Sequence, residues 1–433
     1  MDRALGYGPG GSGFESLQAH QCMKSRSFYL SIFFILISSL VIRLISAYFF
    51  SDQSLVHEWG IIIHNHNVSG IFGYHVALNE FTAIPKFAEV GEKVLPTVFM
   101  PPLYYYFIYL IDLLNGEIEM VNSIIFIQIL LSIFSILVFA LIIKILNFSS
   151  STILFTISLF SFLPIYIFSS SQVSSIVLQI FLILCYFYFL LKIEKEINFN
   201  LPLFSFFGGL LILTRGEFFI FYILTILYFF VYIEKKWKFL FISSLITLIV
   251  ISPYIKRNYS YFNTFTLTKS FGYNLLKGNN PSLKVEGDPL YINKNYSTSA
   301  IKIKTDNNYE LNLDNFYKEK AYKLIKENPD QYFNLYIKKI LSFLFLDINS
   351  TYPDYYNIFH LLPKIFLSIL SLIGAIISLR RKNFFQFLSI YYFSTILLFS
   401  IFFILPRYNL ILLPIQLLLS IKAVEFLKRK IIN

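Results

Sequence analysis

An acidic residue close behind the first long apolar run is the first candidate for chemistry. Glu58 stands in the phrase His57-Glu58-Trp59-Gly60, and the apolar run ends at residue 50. A carboxylate at a membrane surface can take a proton from an acceptor hydroxyl, and general-base catalysis contributes about 10²–10⁴-fold. Asp52 is the alternative acid in the same stretch. An ordinary solvated loop acid fits the spacing at least as well, so catalysis by Glu58 is a hypothesis.

Basic residues at the ends of other apolar runs are candidates for binding a phosphate. They are Arg215, Lys256, Arg257 and Arg407. A guanidinium group binds phosphate oxygens in pairs, whereas an ammonium group binds as a point charge. The alternative for Arg215 is an ion pair with Glu217, and the alternative for the others is anchoring of the chain at the membrane interface.

Two further polar phrases are predicted to form a cleft beside these groups. Two prolines suit the start of a helix, because the first helical residues have no intrahelical partner for their N–H groups. The residues assigned to the cleft are Pro101, Pro102, Tyr104, Asn258 and Asn279. The alternative is a purely structural role for these residues. The prolines would then form a rigid corner leading into a surface helix, and residues 278–281 would form a separate turn.

The composition shows that these residues belong to a membrane protein. Of the 433 residues, 56% are hydrophobic and 14% are charged, whereas soluble domains have about 25% charged residues. Runs of about 20 apolar residues match the hydrocarbon thickness when helical. The runs are 28–50, 103–114, 121–146, 151–170, 174–192, 201–213, 217–233, 238–255, 360–379, 384–405 and 408–427. The sequence therefore predicts an all-α polytopic membrane protein.

The positions of the basic residues predict the topology. Lys and Arg concentrate at the ends of runs, as the positive-inside rule describes, so the net charge of +11 does not indicate a nucleic-acid partner. The run 103–114 would span only about 18 Å, against a core of roughly 30 Å. It is predicted to lie on the outer surface, which leaves ten spans and both termini inside.

Four regions follow from this arrangement. They are a disordered cytoplasmic tail (1–27), a transmembrane core (28–255) with an outer loop (51–120), a small second outer loop region (256–359), and C-terminal transmembrane helices (360–433). In the second loop, residues 284–304 are expected to hold short strands. Residues 313–346 are expected to be helical with a break at Asn328-Pro329.

The ordered set of phrases resembles the GT-C membrane glycosyltransferases. The similarity is greatest to the bacterial lipopolysaccharide-core sugar transferases, with the protein O-mannosyltransferases and the aminoarabinose transferase more distant. It covers roughly residues 40–430. The matching phrases are residues 57–60, Gly70-Ile71-Phe72-Gly73-Tyr74, Pro96-Thr97, Pro101-Pro102-Leu103-Tyr104, residues 209–215, Pro253 to Tyr259, Gly278-Asn279-Asn280-Pro281 and Arg407-Tyr408.

The resemblance implies a seven-helix core and a function. In that family a sugar leaves a polyprenyl phosphate and joins a glycolipid, glycan or protein acceptor on the outer side of the membrane, usually with inversion. Glu58 would be the base, and the basic residues would hold the lipid phosphate. A bacterial inner membrane, with the site facing the periplasm, is the expected location. An alternative is a transporter or flippase for an anionic lipid, which would use the same arginines.

Cofactor use is left open by one departure from the family pattern. Many relatives carry a second acid near the position of Gln172 to Ser175, and this chain has none there. If that acid helps to hold a metal in relatives, its absence argues against dependence on a divalent metal here, and a bound metal stays an open alternative. His57, His64, His66 and His75 do not follow a standard zinc spacing. No Gly-rich phosphate loop is present, which argues against a nucleotide donor.

Overall fold

The computed structural model describes residues 11–51, 57–78, 83–115, 120–193, 196–347, 349–352, 357–380 and 383–432. The first half contains two helices, a small sheet and eight further helices. They are α1 (Gly11–Phe50), α2 (His57–Ser69), β1 (Gly73–Leu78), β2 (Ala83–Lys86), β3 (Leu95–Pro96), α3 (Pro102–Asn115), α4 (Met120–Ile145), α5 (Ser150–Phe162), α6 (Pro164–Ser170), α7 (Ile176–Lys192), α8 (Ile197–Thr214), α9 (Phe218–Tyr232) and α10 (Lys236–Phe262).

The second half is helical wherever it has regular structure among the described residues. Its elements are α11 (Phe271–Gly278), α12 (Pro289–Ile301), α13 (Tyr309–Glu327), α14 (Pro329–Leu344), α15 (Ile358–Ser378), α16 (Phe384–Phe399), a 3-10 helix (Pro406–Leu412) and α17 (Leu413–Ile432). The predicted break at Asn328-Pro329 falls between α13 and α14, because proline suits the first position of a helix.

Length and hydropathy confirm a polytopic helical membrane protein. Six segments in the described part are long and apolar enough to cross a membrane: Ser27–Phe50, Met120–Ile145, Ile197–Thr214, Lys236–Phe262, Ile358–Ser378 and Pro406–Ile431. The pair α5 and α6, bent by 54°, adds a seventh if it forms one broken span. Reaching ten spans requires the shorter apolar helices α7, α9 and α16 to cross as well. That number stays a prediction.

The bend between α5 and α6 is stabilised by an arginine of the first span. Pro164 cannot donate a backbone hydrogen bond, so carbonyls at the end of α5 need other partners. Arg43 of α1 is fully buried, and its Nη1 donates to the Ser161 carbonyl at 2.9 Å and to the Ser39 carbonyl at 3.3 Å. Its guanidinium carbon lies 5.1 Å from the centre of the Tyr166 ring. The negative end of α5 thus faces a positive charge.

Three local expectations were wrong. Residues 11–27 belong to helix α1 rather than to a disordered tail, whereas the membrane-spanning segment Ser27–Phe50 agrees with the predicted run 28–50. Helix α10 continues past residue 255 to Phe262, because Lys256 and Arg257 are good helix formers. It ends where Asn263 adopts a left-handed conformation (φ 54°).

The third error concerns residues 284–304, where the structure has helix α12 (Pro289–Ile301) between turns rather than strands. Asp288 caps this helix by accepting hydrogen bonds from the N–H groups of Leu290 (3.1 Å) and Tyr291 (3.3 Å). Pro289 occupies its first turn. Strands occur instead in the first loop, where β1 pairs antiparallel with both β2 and β3.

The second loop region has only a small core of its own. This core contains Leu275, Leu276, Ile292, Tyr317 and Ala321. The region also packs on the transmembrane helices: the Asn409 side chain donates to the Phe343 carbonyl at 2.6 Å, and Ile404 N–H donates to the Val285 carbonyl at 2.9 Å.

The predicted topology can be tested by labelling from each side of the membrane. Leu290 in the second loop is 71% exposed, so a cysteine there should react with an impermeant maleimide added outside intact cells. Trp237 lies in the first turn of α10, at the end that is predicted to face the cytoplasm, and is 76% exposed. A cysteine at this position should react only after permeabilisation. Labelling of position 290 only after permeabilisation would contradict the predicted topology.

Candidate functional site

The predicted base lies at the start of α2, but its side chain falls outside the described residues. The backbone of α2 is described from His57, and its side chains are described from Trp59 onwards. Asp52 lies outside the described residues altogether. Trp59 is buried and meets Tyr104 edge to face, with ring centres 5.2 Å apart. The first turn of α2 therefore packs on the start of α3.

The proline corner leads into α3 as predicted, and Tyr104 holds it in place. Helix α3 begins at Pro102, directly after Pro101. Tyr104 is 1% exposed, and its hydroxyl lies 2.8 Å from Gln128 Oε1 of α4. The Gln128 amide donates in turn to the Gln172 carbonyl at 2.8 Å. Tyr104 thus packs inside the helix bundle here, and its share in forming a cleft stays a prediction.

Arg257 connects α10 with the first loop. Its Nη1 donates to the Thr97 carbonyl at 2.6 Å, and its Nη2 donates to the Phe72 carbonyl at 2.7 Å. Asn258 is fully buried; its Oδ1 accepts from Arg257 at 2.8 Å, and its amide donates to the Thr266 carbonyl at 2.7 Å. Lys256 is exposed. Arg257 therefore fixes the loop beside Pro96-Thr97, whereas a role in binding phosphate is not tested.

Glu310 joins this group, and sequence reasoning missed it. Its carboxylate accepts from the Thr97 hydroxyl (2.7 and 3.0 Å) and from the Val98 N–H (2.8 Å). Burial raises the pKa of Glu310 to about 7, although these donors and nearby Arg257 act in the opposite direction. The first and second loops are therefore joined by an acid that titrates near neutral pH.

The effect of pH on stability tests this contact. An acid whose pKa is raised by folding keeps its proton in the native state after the unfolded chain has lost it. The wild-type melting temperature should therefore fall as pH rises from about 5 to 7, and Glu310→Gln should reduce that fall. Glu319→Gln, on an exposed face of the same helix, should retain it. Identical pH profiles for the wild type and Glu310→Gln would contradict the assignment.

Arg215 and Arg407 lie at one aromatic group. The guanidinium carbon of Arg215 is 4.6 Å from the ring centre of Phe399 and 4.8 Å from that of Tyr408. Arg215 Nη2 lies 3.4 Å from Glu217 Oε1, and its side chain remains 18% exposed. Arg407 is within electrostatic range of Tyr408 and partly exposed. Two of the predicted phosphate ligands, Arg215 and Arg407, thus both interact with Tyr408, and the Glu217 contact expected as the alternative is also present.

Asn279 belongs to a buried polar contact with α14. Its Oδ1 accepts from the Lys339 ammonium at 2.8 Å, and its amide donates to the Ile401 carbonyl at 2.9 Å. Lys339 is 0% exposed, and desolvation lowers its pKa to about 7. These bonds hold the 278–281 turn against the segment that leads to Arg407. Asn279 therefore fixes this turn, and its share in forming a cleft stays a prediction.

The two basic groups are linked through an extended segment. The Thr266 carbonyl accepts a hydrogen bond from the Asn258 amide. The Thr268 hydroxyl lies where a side chain at Gly216 would point. Lys269 N–H donates to the Val98 carbonyl at 2.8 Å. Residues 266–269 thus contact both the Arg257–Glu310 group and the loop that carries Arg215. Among the side chains that the structure describes, no three His, Cys, Asp or Glu converge as metal ligands.

Comparison with solved structures identifies the fold. The chain is similar to the archaeal oligosaccharyltransferase AglB from Archaeoglobus fulgidus, solved with an inhibitory peptide and a dolichol-phosphate; the TM-score is 0.56 at 12% identity over 94% of this chain and 51% of that chain. An Archaeoglobus fulgidus oligosaccharyltransferase tethered to an acceptor peptide gives a TM-score of 0.52 at 12% identity, over 92% of this chain and 50% of that chain. ArnT from Cupriavidus metallidurans, bound to undecaprenyl phosphate, also matches, with a TM-score of 0.41 at 13% identity over 91% and 77%.

The two oligosaccharyltransferase matches show that the chain shares the fold of the matched part of that enzyme, which agrees with the resemblance that the motifs predicted. The chain spans about half the length of the oligosaccharyltransferase chains. No family model and no curated protein matches the sequence.

Proposed function

We propose that this chain is a glycosyltransferase that moves a sugar from a lipid-phosphate donor to an acceptor at the membrane surface. The single observation that supports it best is the GT-C fold shared with AglB, a transferase solved with a dolichol-phosphate and an inhibitory peptide. In this proposal the donor is a polyprenyl-phosphate sugar, either a hexose or a pentose. The location is a bacterial inner membrane, with the site on the periplasmic side.

The basic residues give the proposal a binding site for the donor phosphate. Arg215 is buried enough for strong electrostatics yet retains an exposed part, and Arg407 lies beside the same tyrosine. A guanidinium group that loses water binds phosphate oxygens more strongly than one in bulk solvent. Arg215 is the main phosphate ligand in this proposal, with Arg407 second. In this proposal Lys256 and Arg257 on α10 are a second set of basic residues for binding the donor phosphate.

Glu58 is the general base in this proposal. Taking the proton from the acceptor hydroxyl makes its oxygen nucleophilic. The oxygen then bonds to the anomeric carbon while the bond to the lipid phosphate breaks. The lipid phosphate leaves with the electron pair, and attack from the opposite face inverts the anomeric centre. Arg215 stabilises the negative charge that grows on the leaving phosphate.

A transfer assay on the purified chain in nanodiscs tests the proposal. Polyprenyl-phosphate sugars of several types are supplied with a mixture of glycolipid and peptide acceptors, and mass spectrometry follows both the donor and the acceptor masses. Loss of sugar from a donor together with a matching gain on an acceptor is the expected result. Movement of intact donor across the membrane with no transfer would favour a flippase instead.

A further inference from the structure

Helix α14 exposes an apolar strip on one flank. Phe333, Ile337 and Leu341 recur every four residues and are 63%, 40% and 51% exposed. Residues spaced by four lie on the same side of a helix, one turn apart. The three side chains therefore form one continuous surface, which we call the α14 strip.

The strip is separate from the face by which α14 packs on the protein. That packed face contains Tyr332, Leu335, Lys339 and Phe343, each at most 5% exposed. Asn334 and Lys338 lie on a third side and are exposed. The helix thus has a buried side, an apolar exposed side and a polar exposed side. A helix in contact with protein and water alone would not need an apolar exposed side.

The strip adjoins the exposed apolar side of α16. The Tyr336 hydroxyl, on the flank next to the strip, donates to the Leu397 carbonyl of α16 at 3.0 Å. Leu397 is 49% exposed, and Ile401 just beyond the helix is 40% exposed. Helix α16 is one of the shorter apolar helices of the bundle. The α14 strip therefore continues a surface that already suits hydrocarbon.

We propose that the α14 strip lies in the bilayer, in the leaflet on the same side as the second loop. Helix α14 then lies along the interface, with Phe333, Ile337 and Leu341 among the acyl chains. Asn334 and Lys338 face the headgroups and water, where a long lysine side chain can reach anionic lipid. The hydroxyl of Tyr336 sits at the level where membrane proteins concentrate tyrosine. The partner is bulk lipid, and the proposal does not depend on the transferase activity.

The position of α14 relative to the membrane also determines how deep the hydrogen bond between Lys339 and Asn279 lies, on the packed side of the helix. Lys339 is two residues from Ile337 and holds Asn279. Lipid on one side of α14 thereby fixes the level of the 278–281 turn on the other side. Detergents that cover the strip poorly should loosen this turn first.

Site-specific fluorescence quenching tests the proposal. The full chain with Cys22→Ser and Cys185→Ala receives one cysteine, at Phe333, Ile337 or Asn334, and an environment-sensitive dye. In nanodiscs, dyes at 333 and 337 should be quenched several-fold more by acyl-chain quenchers than the dye at 334. Aqueous iodide should show the reverse order. A dye at Leu290, exposed in the second loop, provides the reference for water.

Two results would overturn the proposal. Iodide quenching at 337 equal to that at 290 would place the strip in water. Protection at both 333 and 337 from iodide and from acyl-chain quenchers would show that a protein covers it, either a second copy or another partner. The labelled positions are exposed, whereas the background change Cys185→Ala lies at a buried site and is common to all the labelled chains. The melting temperature of each chain verifies that it folds before quenching is measured.

Discussion

Replacing Glu58 by Gln should leave donor-lipid binding close to the wild-type level and slow sugar transfer at least about 100-fold. The amide keeps the size and part of the hydrogen bonding of the carboxylate. It cannot take the acceptor proton at neutral pH, so the loss should fall on the chemical step. Donor binding to nanodisc-embedded protein and single-turnover transfer measure the two quantities separately.

Asp52→Asn is the matched control, because it removes the alternative acid of the same loop. Its effect on transfer should be far smaller. Full turnover by Glu58→Gln would exclude Glu58 from the mechanism and direct attention to Asp52, Glu89 or Glu92. Loss of donor binding in Glu58→Gln would make Glu58 a substrate-positioning residue.

Arg215→Ala should weaken donor binding about 10–100-fold, which corresponds to roughly 1.5–3 kcal/mol for hydrogen bonds to a charged group. Arg215→Lys should restore only part of the affinity, because an ammonium group cannot bind two phosphate oxygens in the same planar geometry. Titration with a polyprenyl phosphate that lacks the sugar isolates the phosphate contribution.

Arg380→Ala provides the control, since it removes an exposed arginine at the predicted cytoplasmic end. It should leave donor affinity unchanged. Glu217→Gln removes the ionic partner of Arg215 and should not weaken donor binding if the guanidinium is held by phosphate. Unchanged affinity in Arg215→Ala, together with a lower melting temperature in both Arg215→Ala and Glu217→Gln, would make the pair structural.

The helical membrane fold could be predicted because long apolar runs leave few alternatives. Every described apolar run is mainly helical, since backbone groups in lipid must be paired within the segment. Ends were less predictable. Lys256 and Arg257 look like an interfacial stop, yet both favour helix, and Asn263 ends α10 instead. Asp288-Pro289 is a helix-capping signal, but the irregular alternation of residues 284–304 is also typical of short strands, and the two patterns conflict.

The candidate site was only partly readable from the sequence, because its main contacts join distant residues. Glu310 meets Thr97 across a separation of 213 residues, and only the fold brings them together. Arg215 could be recognised from the local sequence, because it is a charged residue between two apolar helices and Glu217 lies two residues away. Arg257 was singled out for its charge, yet its hydrogen bonds to the carbonyls of Thr97 and Phe72 depend on tertiary packing.

The pairing of Arg43 with α5 has a consequence for the order in which the protein is made. An arginine at the centre of a span costs about 2.5–3.5 kcal/mol on insertion scales, and the carbonyl that accepts from it lies 118 residues later in the chain. At roughly 5–20 residues per second the ribosome needs about 6–24 s to supply that partner. During this interval the guanidinium has the Ser39 carbonyl of its own span as a partner, but not yet the carbonyl at the end of α5. Arg43→Leu should therefore integrate sooner as an isolated segment, yet leave the bend after Phe162 without its positive charge.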